Sequence, residues 1–334
     1  MNTSKTVAIA CQGGGSHCAF GAGVLSAFLG RLGDGKTLTR AGENFRVIGL
    51  SGTSGGAINA LMAWYGLIGE SPRTGIQALE GFWQDNMAVD YWDAMANAAV
   101  VLAVQLQGLV PSTEMAPNAL SRLAQDKLRQ LICKQVDFPK LGKLVTADSA
   151  ELFIGAANVL SGAFTVFGGA GRKAMVTVDQ VLASTAVPEL FPPVRIGDDY
   201  YWDGLLSQNP PIRDFLRGRT SERIPDEIWI IRINPVKRIG VPEKLTDIRD
   251  RRNEMAGNLA IEEEKYFIDQ VNHWVRQGLL PTKKIVTVRE IPLERVGQSN
   301  DGLDYASKLD RRPEFIAGLI ELGKAAATHF MAHA

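Results

Sequence analysis

The sequence predicts an α/β fold with a mainly parallel central sheet, and three observations lead there. A short apolar run, a glycine-rich turn and a helical pattern follow one another twice within about the first 70 residues. Parallel strands are joined by crossovers of this kind, most often helices. Further buried-strand runs then recur down the chain, and the 334 residues are 46% hydrophobic and 22% charged, enough for a full core and far from the composition of a disordered chain.

Each element has its own signal. Residues 7–11 are a β-like run that ends in Gly13-Gly14-Gly15, after which Ala19, Phe20, Val24, Ala27 and Phe28 recur at helical spacing until Gly33 and Gly35 break the pattern. Residues 47–50 are a second buried strand, running into Gly52-Thr53-Ser54-Gly55-Gly56 and a helix over 57–68. Residues 71–140 read as a helical insertion interrupted at Pro72, Pro111, Pro117 and Pro139. Residues 152–157 and 163–167 suggest a hairpin about Ser161-Gly162. Thr177 with Gln180 is a capping-box pattern opening a helix that must stop near Pro188. Residues 188–211, rich in Pro, Gly and Asp, read as an irregular loop. A buried strand is expected at 228–233, a charged helix at 243–277, a late strand at 284–291 and a final helix from Pro313. No repeat or linker divides the chain, so the reading is one compact domain over 5–235, carrying the insertion, with a helical C-terminal extension over 236–334 packed on it.

Composition narrows the function classes. Lys plus Arg and Asp plus Glu both number 36, which argues against a generic nucleic-acid binder. The three cysteines, Cys11, Cys18 and Cys133, fit neither a disulfide scaffold nor a zinc motif and read as reduced thiols. Residues 1–6 are polar, and the longest apolar stretch, 94–104, is interrupted by Asn97 and is too short to span a bilayer. A cytoplasmic protein is expected, peripheral at most to membrane or lipid surfaces. No metal or other cofactor is implied, and the oligomeric state is not indicated.

Three segments carry chemistry. Gly52-Thr53-Ser54-Gly55-Gly56 is a G-x-S-x-G sequence between a strand and a helix. On such a turn the serine is forced to the tip, its Oγ exposed at the positive end of the following helix. The alternative is an ordinary glycine turn. Gly13-Gly14-Gly15 has three readings: a phosphate cradle, an oxyanion hole or a plain turn. The phosphate readings lack the Gly-Lys-Ser/Thr ending and the third fingerprint glycine, where Cys18 stands. Beside a serine elbow the oxyanion reading is the economical one. In the third segment, Tyr200-Tyr201-Trp202-Asp203-Gly204-Leu205 followed by Asn209-Pro210-Pro211, Asp203 is either a base for the serine or a turn residue bonding its own backbone.

In this order the three segments resemble the patatin-like phospholipase family, whose members combine a glycine-rich oxyanion motif, G-x-S-x-G and D-G-A/G on an α/β sheet. The resemblance extends over about residues 5–235 and rests on 7–25, 47–60 and 183–211. Gln12-Gly13-Gly14-Gly15-Ser16-His17 is similar to the opening of a bacterial Q-G-G-G-x-H subgroup, and Arg252-Asn253-Glu254 with Asn258-Leu259 is similar to its C-terminal region. The resemblance implies a three-layer α/β/α fold and a Ser–Asp dyad without catalytic histidine. Ser54 becomes the nucleophile and Asp203 the base. Gly13, Gly14, Gly15 and Gly55 become the oxyanion donors, and His17, Gly52, Gly56 and Gly204 support the motifs. The substrate implied is a lipid carboxylic ester, cleaved as by a phospholipase A or lysophospholipase.

Two positions depart from the pattern. Cys18 puts a Cβ where the family has glycine, so crowding at the helix start is expected. Leu205 replaces a small residue after Asp-Gly, narrowing the pocket floor or shifting the loop. A Ser-His-Asp triad is disfavoured: His273 lies in a charged helical run, and His329 and His333 lie at the chain end. His17 reads as a motif residue or a satisfied helix N-terminal residue. Residues 94–110 read as a mobile lid or a core helix, and Trp64, Trp83 and Trp92 as acyl-pocket wall or core. The run 249–252 reads as a solvated helix face. The competing functions are a thioesterase or short-chain esterase with the same dyad, a catalytically weak lipid-binding protein of the same fold, and a nucleotide-binding α/β protein.

Overall fold

The computed structural model describes residues 4–33, 36–69, 71–90, 93–98, 101, 119–188, 190–238, 240–293 and 303–333. Most of the stretch at 94–110, read as a lid or a core helix, and Trp92 lie outside them.

β1 (Lys5–Cys11), β3 (Glu43–Thr53), β4 (Glu151–Asn158), β8 (Glu227–Arg232) and β9 (Thr287–Pro292) pair in parallel, in the order β4-β3-β1-β8-β9. Four further strands pair antiparallel: β2 (Thr37–Arg40) on β3, β5 (Phe164–Gly169) on β4, and the hairpin of β6 (Val194–Ile196) and β7 (Asp199–Asp203), which joins the sheet through β4. The sheet is buried on both sides, and its strands read accordingly. In β1, Val7, Ile9 and Cys11 face one core while Ala8 and Ala10 face the other; in β8, Trp229 and Ile231 alternate with Ile228 and Ile230 in the same way.

The first core is covered by α1 (Ala19–Leu29), α2 (Gly55–Ile68), α3 (Pro72–Asn86) and α8 (Pro313–Ala332). The second is closed by Ile261 and Ile268 of α7 (Leu245–Arg276), which makes three layers, α/β/α. α4 (Ala119–Gln135) and the short α5 (Leu141–Leu144) belong to the insertion. α6 (Val178–Thr185) opens on the capping box expected of Thr177 and Gln180, with both reciprocal bonds made. None of the described helices is long and apolar enough to cross a membrane.

One expectation needs correction. Residues 188–211 are not a plain loop but hold the β6–β7 hairpin, turned at Gly197-Asp198. Prolines and acids mask strands of three and five residues whose side chains do alternate, Val194 with Ile196 and Tyr201 with Asp203. β2, a four-residue edge strand, was not anticipated. Trp64 and Trp83 are core residues, their indole N–H groups donating to the Ala150 carbonyl (2.7 Å) and Asn59 Oδ1 (2.8 Å).

Candidate active site

The carboxyl ends of adjacent parallel strands converge, the usual place for a ligand crevice in such sheets. β1 ends at Cys11 opposite Gly52 of β3, Thr53 pairs with Gly155 of β4, and Ala156 pairs with Asp203 of β7. That register brings the glycine loop, the serine turn and the Asp-Gly segment to one edge of the sheet.

β3 stops at Thr53 and α2 begins at Gly55, leaving Ser54 alone on the turn at φ 56° and ψ −131°. A residue with a Cβ held there stores about 1–3 kcal/mol of backbone strain. The flanking glycines are dictated by close approach: a Cβ on Gly52 would sit 2.2 Å from the Gly56 carbonyl oxygen, and one on Gly56 2.2 Å from that of Cys11. Ser184 of α6 holds the turn, accepting the Ser54 N–H at 3.0 Å and donating to the Gly155 carbonyl at 2.6 Å.

Asp203 closes β7 and is almost wholly buried. Oδ1 accepts the Leu205 N–H at 2.9 Å, so the plain turn reading of this residue is realised by one oxygen. Oδ2 has no partner of ordinary hydrogen-bond geometry, and the side chain that acts on the carboxyl is Ser54. Burial pushes the pKa up to about 7; the hydrogen-bonding influence of Ser54 and the Leu205 N–H offset only part of that. Gly204 admits no side chain, since a Cβ would lie 2.6 Å from the Gly155 carbonyl carbon and oxygen.

The glycine loop is divided in its bonding. The N–H of Gly13 is engaged by Asn209 Oδ1 at 2.6 Å, which removes it from the free donors and ties the loop to the segment after Asp203. The thiol of Cys18 lies behind the loop, against the N–H groups of Gly14 and Gly56, and reaches the Gln12 carbonyl at 3.5 Å. Among the described residues, nothing accepts the N–H of Gly15 or Gly55. Cys18 does not crowd the helix: its backbone is helical at φ −65°, and its fully buried side chain packs on Gly55, where a Cβ would meet the sulfur at 2.9 Å. Burial pushes its thiol pKa up to about 12.

His17 is buried away from this chemistry. Its Nε2 lies 2.7 Å from Ser307 Oγ, which already donates to the Asp304 carbonyl, so the ring is assigned as the Nε2–H donor. Burial, then the charge of Lys308, push its pKa down to about 3, and it packs edge-on to Phe315. His273 is exposed on α7, and His329 and His333 stack on each other at the end of α8. Local sequence gave no role to Ser184, Asn209 or Glu264. Glu264 of α7 accepts the Gln208 side chain (3.1 Å) and the N–H groups of Ile212 (3.1 Å) and Arg213 (3.0 Å), bracing the loop that follows Asp203.

A strained serine at a helix N-terminus, a buried carboxyl beside it and free backbone donors nearby meet in one crevice at the carboxyl ends of the α/β sheet. A family model described as patatin-like phospholipase matches residues 9–216, and the chain belongs to that family of lipid acyl hydrolases. No curated protein matches the sequence significantly. Among solved structures, VipD from Legionella pneumophila is similar at 12% identity and a TM-score of 0.44, covering 99% of this chain and 67% of that one. The ExoU–SpcU complex from the type III secretion system of Pseudomonas aeruginosa is similar at 14% identity and a TM-score of 0.34, with 98% of this chain and 52% of that one covered. The chain thus spans about half the length of the latter.

Proposed function

We propose that this protein cleaves lipid carboxylic esters, in the manner of a phospholipase A or lysophospholipase, through a Ser54–Asp203 dyad and an acyl-enzyme. The observation that carries the reading is the pairing of Ser54, held at φ 56° on the α2 turn, with a buried Asp203 whose second oxygen is unpartnered. Ser54 Oγ attacks the ester carbonyl as Asp203 takes its proton. The oxyanion is held by the N–H groups of Gly15 and Gly55 at the positive end of α2, with Gly14 adjoining. Collapse of the adduct expels the alcohol, which takes the proton from Asp203. Water, deprotonated by Asp203, then attacks the acyl-serine and releases the fatty acid and Ser54. A pKa of about 7 suits a base that must exchange protons near neutral pH. No step calls for a metal or cofactor. The free thiols fit a cytoplasmic setting, with transient contact at the lipid surface that supplies the substrate.

The test is covalent labelling with a fluorophosphonate, comparing the parent with Ser54→Ala and Asp203→Asn, all shown folded by circular dichroism. Labelling is expected in the parent, absent in Ser54→Ala and strongly slowed in Asp203→Asn. A folded parent that does not label, with detergent present, refutes the dyad. A panel of phospholipid, lysophospholipid, short-chain and thioester substrates then separates the lipid hydrolase from an esterase or thioesterase.

A further inference from the structure

The glycine loop is held from behind by residues that lie beyond the span matched by the family model, residues 9–216. Gln12 uses its whole amide for this. Its Oε1 accepts the N–H groups of Ile233 (2.8 Å) and Asn234 (2.9 Å), and its Nε2 donates to the Gly257 carbonyl (2.9 Å) and Asn258 Oδ1 (3.0 Å). The far end of the loop rests on the 3-10 turn Ala306–Leu309. Gly15, at φ 58°, lies so close to it that a Cβ would fall 2.1 Å from the Lys308 carbonyl oxygen. His17 bonds the neighbouring Ser307.

What fixes that turn is Lys308. Its half-buried side chain donates through the ammonium to Asn234 Oδ1 (2.8 Å) and Asn253 Oδ1 (2.7 Å); burial pushes its pKa down, and the charges of Asp250 and Glu254 offset part of that. The same two carboxylates are bridged by Arg238, and Glu254 also accepts from Arg251 (3.0 Å). The ammonium therefore joins three pieces of chain: the end of β8 through Asn234, α7 through Asn253, and the turn under Gly15 through its own backbone. Gly15 is one of two loop and elbow glycines whose N–H no described group accepts.

We infer that Lys308 is a positioning residue for the oxyanion donors, holding Gly15 in place from outside the catalytic core. The inference rests on the dyad reading above. Removing the ammonium leaves the oxygens of Asn234 and Asn253 without their shared donor, and the turn is then free to move away from Gly15. A donor moved off its position weakens the bond to the developing oxyanion and leaves ground-state binding unchanged.

The experiment compares the parent, Lys308→Met and Asn253→Ala, the last being the milder variant from a half-buried position. Four quantities are read for each: kcat and KM on a p-nitrophenyl ester, affinity for an alkyl trifluoromethyl ketone, which forms a hemiketal oxyanion, and affinity for the matching alkyl amide, which does not. In Lys308→Met, kcat and trifluoromethyl ketone affinity should fall together by about 10- to 100-fold, with KM and amide affinity within about two-fold of the parent. Asn253→Ala should shift the same pair in the same direction by less, and it decides the matter where Lys308→Met does not fold. If a parent that labels at Ser54 shares its ketone-to-amide ratio and kcat with the folded variants, Lys308 has no positioning role and the dyad stands. A parent that does not label at Ser54 overturns the dyad, and this inference with it.

Discussion

Asp203→Asn should make this protein more stable while taking away its activity, and the gain should depend on pH in a way that identifies its cause. The folded carboxyl titrates near 7 against an ordinary 3.8, chiefly because it is buried. Below about pH 3.8 both the folded and unfolded chains hold the proton, and the group contributes nothing to the pH dependence. Between 3.8 and 7 the unfolded chain has released its proton and the folded one has not, so stability is lost steadily as pH rises. Above 7 both are ionised and the loss is complete. A shift of about three units corresponds to about 4 kcal/mol at pH 8, at 1.36 kcal/mol per unit.

Asparagine keeps the acceptor for the Leu205 N–H, turns its amide toward the Ser54 hydroxyl as a donor, and has no proton to lose. The variant should match the parent at pH 4 and exceed it by up to about 4 kcal/mol at pH 8. With an unfolding entropy of about 2.1 cal/mol/K per residue, that is a rise in Tm of about 6 °C for a chain of this length. Thermal unfolding of both proteins by circular dichroism, from pH 4 to 8.5, measures it. Over the same range the parent's kcat/KM for an ester should climb and level off with an apparent pKa near 7, since the base works only when ionised. A Tm difference that is flat with pH, or a variant less stable than the parent at pH 8, would mean that the fold welcomes the carboxylate, and the argument from burial would fail.

Two more outcomes follow from the same geometry. Ser54→Gly should be more stable than Ser54→Ala by about 1–2 kcal/mol in urea unfolding, both being inactive, because only glycine is at ease at φ 56°; equal stabilities would show that the turn stores no strain. Glu264→Ala leaves the Gln208 side chain and the N–H groups of Ile212 and Arg213 without their acceptor, so it should cost about 2–3 kcal/mol in the same assay and lower kcat through the loop that follows Asp203. A loss below about 0.5 kcal/mol would show that water replaces the carboxylate there.

The sequence exposed what is local. The G-x-S-x-G turn, the glycine loop and the Asp-Gly pair are each short patterns whose residue types are forced by backbone geometry, so strand, turn and helix could be read around them. The bonds that join them are long-range and leave no local mark. Asn209 meets Gly13 across 196 residues, Ser184 meets Ser54 across 130, and Gln12 meets Gly257 across 245. The role expected of Gly13 shows the limit: nothing near it announces that its N–H belongs to Asn209. The β6–β7 hairpin was hidden for a different reason, since strands of three and five residues between Pro193 and Gly204 carry too few alternations to outweigh the turn-forming residues around them.

The bracing also bears on where the working unit ends. The family model stops at residue 216, yet β8 and β9 complete the sheet beyond it and α8 covers α1. Both site loops rest on α7, the glycine loop through Gln12 and Asn258, the Asp203 loop through Gln208 and Glu264. In the proposed mechanism, a helix that holds both loops from one side sets the separation of the oxyanion donors from the base. That separation has to be kept to a fraction of an ångström if Ser54 is to pass its proton one way while its oxygen attacks the other. The strain stored at φ 56° works against such order, because a loosened turn would relax it. Ser184, bonded to the Ser54 N–H and to the Gly155 carbonyl, holds the strained serine directly, while Asn209 and Gln12 hold the glycine loop beside it.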